Sequence, residues 1–261
     1  MSATLLRFGL LLAGLSATCA AAADESPHAL TANVGLFSQY VFRGLAQGNE
    51  EPAIQGGAGY SHASGLYAGT WLSNVSWFSD TNAGNSNSLE WDLYGGFRKS
   101  WDNGFSGDVG YLHYEYPGSY PALPAGTVKP NTDEVYAAVG WKWASLKYSY
   151  AFSNLFGVED SEGSDYLDLT ITVPLNERFT AVAHAGRQQF KGASTYAELN
   201  GTTNDALYSY EDYRATLNCS LGNGWTASLT YTTTTAKDAG YTVLGENIGD
   251  DQVVVGIART F

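Results

Sequence analysis

The chain has 261 residues, only 15% of them charged, 14% aromatic, with 30 Gly and 18 Tyr. Few charges beside many aromatics exclude a disordered chain, and Gly, Thr, Tyr and Trp in bulk favour strands and turns over helices. A formal charge of −13 argues against nucleic acid or an anionic lipid surface as a partner.

Arg7 precedes the apolar run "FGLLLAGLSA", followed by "TCAAAADE". A basic start, an apolar run and small residues before Asp24 read as a signal peptide over 1–23, cut after Ala21-x-Ala23. The apolar run is too short to span a bilayer. Ser16 and Thr18 fit a lipobox around Cys19 poorly, so export with cleavage is expected rather than lipidation. Residues 24–261 then form one domain with 12 Lys and Arg against 26 Asp and Glu, a formal charge of −14. Cys219 is its sole cysteine, so no internal disulfide is possible. In an oxidising compartment this suits a large closed sheet better than a small stapled domain.

About twelve extended segments follow, over 30–43, 53–62, 66–77, 88–99, 105–116, 134–143, 146–154, 165–173, 178–190, 208–220, 225–233 and 251–261. In the fourth, Leu89, Trp91, Leu93 and Phe97 alternate with Glu90, Asp92, Tyr94 and Gly96. In the sixth, Val135, Ala137, Val139, Trp141 and Trp143 oppose Glu134, Tyr136, Ala138, Gly140 and Lys142. Leu146, Tyr148, Tyr150 and Phe152 in the seventh oppose Lys147, Ser149, Ala151 and Ser153. In the eighth, Leu167, Leu169, Ile171 and Val173 oppose Asp168, Thr170 and Thr172. In the eleventh, Trp225, Ala227, Leu229 and Tyr231 oppose small hydroxylated residues.

Short connections ("HASG", "SWDNG", "AS", "PLNE", "LGNG") alternate with long ones ("FSDTNAGNSN", "PGSYPALPAGTVKPNT", "KGASTYAELNGTTNDA"). Short turns at one end and long loops at the other describe an all-β, transmembrane, antiparallel up-and-down β-barrel in the outer membrane of a Gram-negative bacterium. On this reading the apolar faces meet lipid and the polar faces enclose a wet lumen. Trp101, Phe105, Trp143 and Trp225 form one aromatic girdle near the short turns, and Tyr40, Phe42, Trp77, Tyr111 and Phe152 a second near the long loops. Closure satisfies every backbone N–H and C=O, as hydrocarbon demands.

The last segment ends "VVVGIARTF". Val253, Val255, Ile257 and Phe261 share a face that Arg259 interrupts. A terminal aromatic on an alternating strand resembles the assembly signal of outer-membrane barrels. The expected partners are thus the barrel-assembly machinery, through the strand ending in Phe261, and the surrounding outer-membrane lipid and lipopolysaccharide.

The run from Ser38 to Val75, "SQYVFRGLAQGNEEPAIQGGAGYSHASGLYAGTWLSNV", resembles the signature of the TorF-type porins, or Gcw_chp proteins, of proteobacteria. Its matching pieces are Ser38–Gly44, Pro52–Gly57 and Tyr67–Trp71. Leu45-Ala46-Gln47 stands where the family reads Ile-Ser-Gln. "EVYAAVGWKWASLKYSYAFSNLFG" and "YLDLTITVPL" extend the likeness along the mature chain. The resemblance implies an outer-membrane barrel with porin activity and leaves the substrate open.

Twelve strands tilted about 40° and spaced about 4.8 Å give a backbone radius of roughly 12 Å. Side chains narrow that to a passage for small hydrophilic solutes or ions, and an inward loop over 117–133 or 191–207 is expected to constrict it. The pore-lining candidates are Arg43, Glu90, Asp92, Arg98, Asp108, Glu134, Lys142, Lys147, Asp168 and Arg214. Such charges either set up a selecting field or pair and brace the wall. Five acids and five bases balance among them, but the loops "GVEDSEGSD" and "GENIGDDQ" are acidic, so a cation preference at the mouth is the expectation. Glu159, Asp160, Glu162 and Asp165 offer hard oxygen ligands, but without the spacing of a calcium loop they read as a solvated loop. No metal or cofactor is expected.

Four histidines occur, His28, His62, His113 and His184. His62 and Ser64 share a short turn, His113 is expected to face outward and His184 inward. None stands in a recognisable catalytic motif. A passive porin without enzymatic activity is the leading reading. A closed or plugged barrel with a binding, adhesion or structural role is the alternative, and an outer-membrane hydrolase the third.

Overall fold

The computed structural model describes residues 26–81, 84–121 and 123–261, so the signal peptide expected over 1–23 lies outside the described residues. Twelve strands form the wall: β1 (His28–Phe37), β2 (Ala53–His62), β3 (Leu66–Asn74), β4 (Leu89–Ser100), β5 (Phe105–Glu115), β6 (Thr132–Trp141), β7 (Ala144–Ala151), β8 (Asp165–Pro174), β9 (Phe179–Gln189), β10 (Tyr210–Gly222), β11 (Trp225–Thr234) and β12 (Gln252–Thr260). Each pairs antiparallel with its neighbours in sequence, and β1 pairs with β12 to close the barrel. All twelve expected segments are present.

Turns at one end are tight because the sequence supplies residues that tolerate positive φ. Asn223 (φ 51°) and Gly224 (φ 81°) make the β10–β11 turn, where a side chain on Gly224 would sit 2.2 Å from the Thr260 carbonyl oxygen. The β6–β7 turn differs from the expectation. Lys142 (φ 54°) and Trp143 form it, two residues earlier than "AS". Lys142 is therefore not a lumen residue. It is exposed at the rim, with its ammonium 4.4 Å from the Trp141 ring centroid. A shift of two residues preserves the face of every other side chain in these strands.

The outer surface is apolar at mid-height. Val109, Val139, Leu169, Leu229 and Val255 are exposed there, Val139 by 60%. A ring of such residues is a lipid contact. Trp101, Phe105, Trp141, Trp143 and Trp225 are exposed near the short turns. Near the long loops Tyr111, Tyr213 and Tyr231 are exposed, their hydroxyls donating to Asp133 (2.6 Å), Glu211 (2.7 Å) and Asp251 (2.9 Å). Rings toward hydrocarbon and hydroxyls toward water are what an interface selects. Phe152 belongs to this girdle, but Tyr40, Phe42 and Trp77 do not. Tyr40 is buried and the other two are half-buried, all in an aromatic cluster inside the wall.

The reason is that β1 stops at Phe37. Residues 38–47 turn into the barrel as a hairpin in which Val41–Phe42 pairs with Leu45–Ala46. Arg43 (φ 46°) and Gly44 (φ 80°) are both left-handed, the geometry of a two-residue type I′ turn. This hairpin, and not 117–133 or 191–207, is the inward segment.

Candidate functional site

The hairpin starts between β1 and β2 and reaches the far wall. A side chain on Gly44 would lie 2.4 Å from Thr234 Cγ2 and 2.8 Å from Asp212 Cβ, so its tip abuts β10 and β11. The Arg43 guanidinium donates to both oxygens of Glu134 on β6 (2.9 and 2.7 Å) and to Gln188 Oε1 on β9 (2.8 Å). It also stacks 4.3 Å from the Tyr166 ring centroid on β8. Arg43 and Glu134 side chains are 7% and 2% exposed, so this is a buried, bidentate pair. Tyr40 on the same hairpin donates to Glu90 Oε1 (3.0 Å), and Tyr116 to Glu90 Oε2 (3.1 Å). Backbone bonds from Ala46 to Ile248 and from Ser76 to Gln47 tie the hairpin's root to two outer loops.

Inside β3–β6 the space is filled. Tyr67, Trp71, Tyr94, Tyr114 and Tyr136 point inward, and glycines opposite them make room. Tyr94 lies over Gly69, Tyr67 over Gly96 and Tyr136 over Gly110, each pair directly opposed in register. A side chain at Gly110 would meet the Tyr136 hydroxyl at 2.5 Å. Tyr67 donates to Asp108 Oδ1 (2.6 Å), and Arg98 Nε to Asp108 Oδ2 (2.8 Å). Asp92 is buried beside this network, one carboxylate oxygen without a protein partner among the described residues.

On the other side the lumen is open. A cavity of about 140 Å³ lies below the hairpin, bordered by Phe37, Lys147, Asp168, His184, Asp212, Arg214 and the hydroxyl-bearing Thr216, Ser228, Thr230 and Thr232. His184 stands between two carboxylates, Nε2 2.8 Å from Asp212 and Nδ1 3.4 Å from Asp168. Tyr166 donates to Asp212 (2.8 Å) and Thr170 to Asp168 (2.8 Å). The Thr170 hydroxyl also lies 3.2 Å from His184 Nδ1.

Nine of the ten candidate pore residues face the interior, and Lys142 does not. The nine fall into three groups. Glu90, Asp92, Arg98, Asp108 and Glu134 lie in the packed side, Arg43 is the hairpin's anchor, and Lys147, Asp168 and Arg214 border the cavity. Asp212 and Gln188 complete the site without having been singled out from sequence, and Tyr40, expected in the outer girdle, joins them. Asp212 was legible, since it alternates with Tyr213 on a long strand.

The remaining histidines lie elsewhere. His62 Nδ1 is 2.7 Å from Ser64 Oγ in an exposed turn. His113 faces outward between Asp133 (2.7 Å) and Glu115 (3.2 Å). The loop acids hold other loops. Hydrogen bonds from the Thr195 side chain and then from its amide (2.8 Å) keep the Glu159 carboxyl below the usual range, and Asp160 accepts from the Ala193 amide (3.0 Å).

A closed antiparallel barrel with an apolar belt, two girdles and a polar lumen has the architecture of an outer-membrane channel protein. Among solved structures the fold is similar to the KdgM porin (TM-score 0.53, 9% identity, over 88% of this chain and 99% of that one) and to the NanC porin (TM-score 0.53, 13% identity, over the same shares). No curated protein matches the sequence. Residues 21–261 match the family described as "Bacterial protein of unknown function (Gcw_chp)", and the chain belongs to that family.

Proposed function

We propose that this protein is a passive outer-membrane channel for small hydrophilic solutes or ions, of the TorF type within its family, and carries out no chemistry. The observation behind this reading is the unfilled, hydroxyl-lined side of the lumen. Inward positions of β11 hold Ser228, Thr230 and Thr232, and Thr232 Oγ1 and Gln252 Oε1 have no protein partner among the described residues. Buried polar groups of that kind need water. Lipid and lipopolysaccharide surround the wall on this reading, and the barrel-assembly machinery engages β12. Phe261 at its end is exposed, with Arg259 stacked 4.6 Å from its ring centroid.

Purified protein in planar bilayers is expected to give discrete conductance steps, and liposomes containing it to swell in small uncharged sugars. The hairpin across the mouth favours a second reading, a plugged barrel. Conductance seen only after the hairpin is shortened selects that reading. Charge selectivity depends on which charges are free. The acidic outer loops favour cations, while inside the wall Glu90, Asp108 and Glu134 each have a hydrogen-bonded partner. The reversal potential in a salt gradient decides the sign.

A further inference from the structure

Some charges facing the open side of the lumen already have partners, and two do not. Arg43 is held by Glu134 and Gln188, while Asp168 and Asp212 share His184. Lys147 and Arg214 form no ion pair or hydrogen bond among the described residues, yet both border the same cavity. In the strand register Lys147 stands opposite Asp168 and Arg214 opposite His184, so the two cations flank the Asp–His–Asp cluster. The Lys147 ammonium rests 4.1 Å from the Tyr136 ring centroid, a contact that gives its three N–H donors no oxygen. Asp168 lies near both cations, yet neither comes within ion-pair distance of it among the described residues, and a guanidinium presents a fork matched to a carboxylate. Thr230 and Thr232 add hydroxyls to the same space.

We propose that this cavity is a binding subsite for small hydroxylated monocarboxylates passing through the channel. Lys147 and Arg214 supply the charge that draws in the carboxylate, and the threonine hydroxyls exchange hydrogen bonds with the solute's own. The inference rests on the channel reading above. Since roughly 10–15 Å³ measured this way holds one water, the cavity of about 140 Å³ takes a solute of up to roughly ten non-hydrogen atoms, with room to spare around lactate or glycerate.

Reversal potentials in a sodium lactate gradient, with saturable block of potassium chloride current by lactate, test it. The wild type is expected to favour lactate over sodium. Lys147→Gln combined with Arg214→Gln is expected to lower that ratio about 25-fold per charge, because a unit charge about 8 Å away at an effective dielectric of about 40 changes lactate and sodium entry by about fivefold each, in opposite senses. Lys147→Arg keeps the preference. Swelling in uncharged arabinose separates the two claims. Arabinose entry with a sodium preference, with no lactate block, or with an unchanged ratio in the double variant overturns the subsite and leaves the channel standing. No flux of any solute overturns both.

Discussion

From β3 to β6 the inward positions carry Tyr67, Trp71, Tyr94, Tyr114 and Tyr136, whereas on β10 and β11 they carry Arg214, Thr216, Ser228, Thr230 and Thr232. The backbone is the same on both sides and so is the alternation. Large rings laid over glycines turn one side into a packed interior, where Tyr67, Tyr136, Asp108 and Arg98 bond one another and one Asp92 oxygen is left without a protein partner among the described residues. Short hydroxylated side chains leave the other side to water. A barrel of twelve strands is wide enough for both, and the hairpin 38–47 bridges them at the mouth. Tyr40 and Phe42 join the packed side, while Arg43 reaches the far wall.

The comparison can be broken most severely at that bridge. Arg43→Ala leaves the dry Glu134 carboxylate without its cation, and removing one partner of such a pair costs about 3–5 kcal/mol. A lower denaturation midpoint together with larger single-channel conductance is expected. A lower midpoint with unchanged conductance would identify the hairpin as a fixed plug. Gly110→Val attacks the packed side. The new side chain meets Tyr136 at 2.5 Å and the Gly95 carbonyl oxygen at 2.9 Å. Overpacking of this kind costs about 1–3 kcal/mol, read as a shift in denaturation midpoint with little change in conductance. Thr230→Tyr puts the packed side's chemistry on the open side. Stability should move by no more than about 0.5 kcal/mol, while conductance and arabinose swelling fall. Lys142→Ala, at the exposed turn, is expected to leave both stability and ion selectivity unchanged. A selectivity shift there would return Lys142 to the lumen.

Most of the wall was legible in the sequence because period-two alternation survives wherever one face meets lipid. The tyrosine–glycine oppositions were not, since they depend on register between strands and no single strand contains both members. The hairpin was missed for a different reason. Phe37 to Arg43 continues an extended, aromatic-rich run, so β1 read as reaching residue 43. The available sign was Arg43-Gly44 between two short apolar pairs, the length of a tight hairpin loop. The candidate charges were only half legible for the same reason. Alternation places a carboxylate inside, but only the fold tells whether a tyrosine or an arginine is waiting for it.

The joint that closes the ring is its shortest. Asn33–Phe37 meets Gly256–Thr260, whereas β1 pairs with β2 along its whole length. Below that joint His28–Thr31 has β2 on one flank and, among the described residues, no strand on the other. β1 and β12 thus form a zipper with few teeth. When the cylinder breathes, amides there should exchange with solvent before those of β10 and β11, and the last act of insertion should be the fastening of this seam.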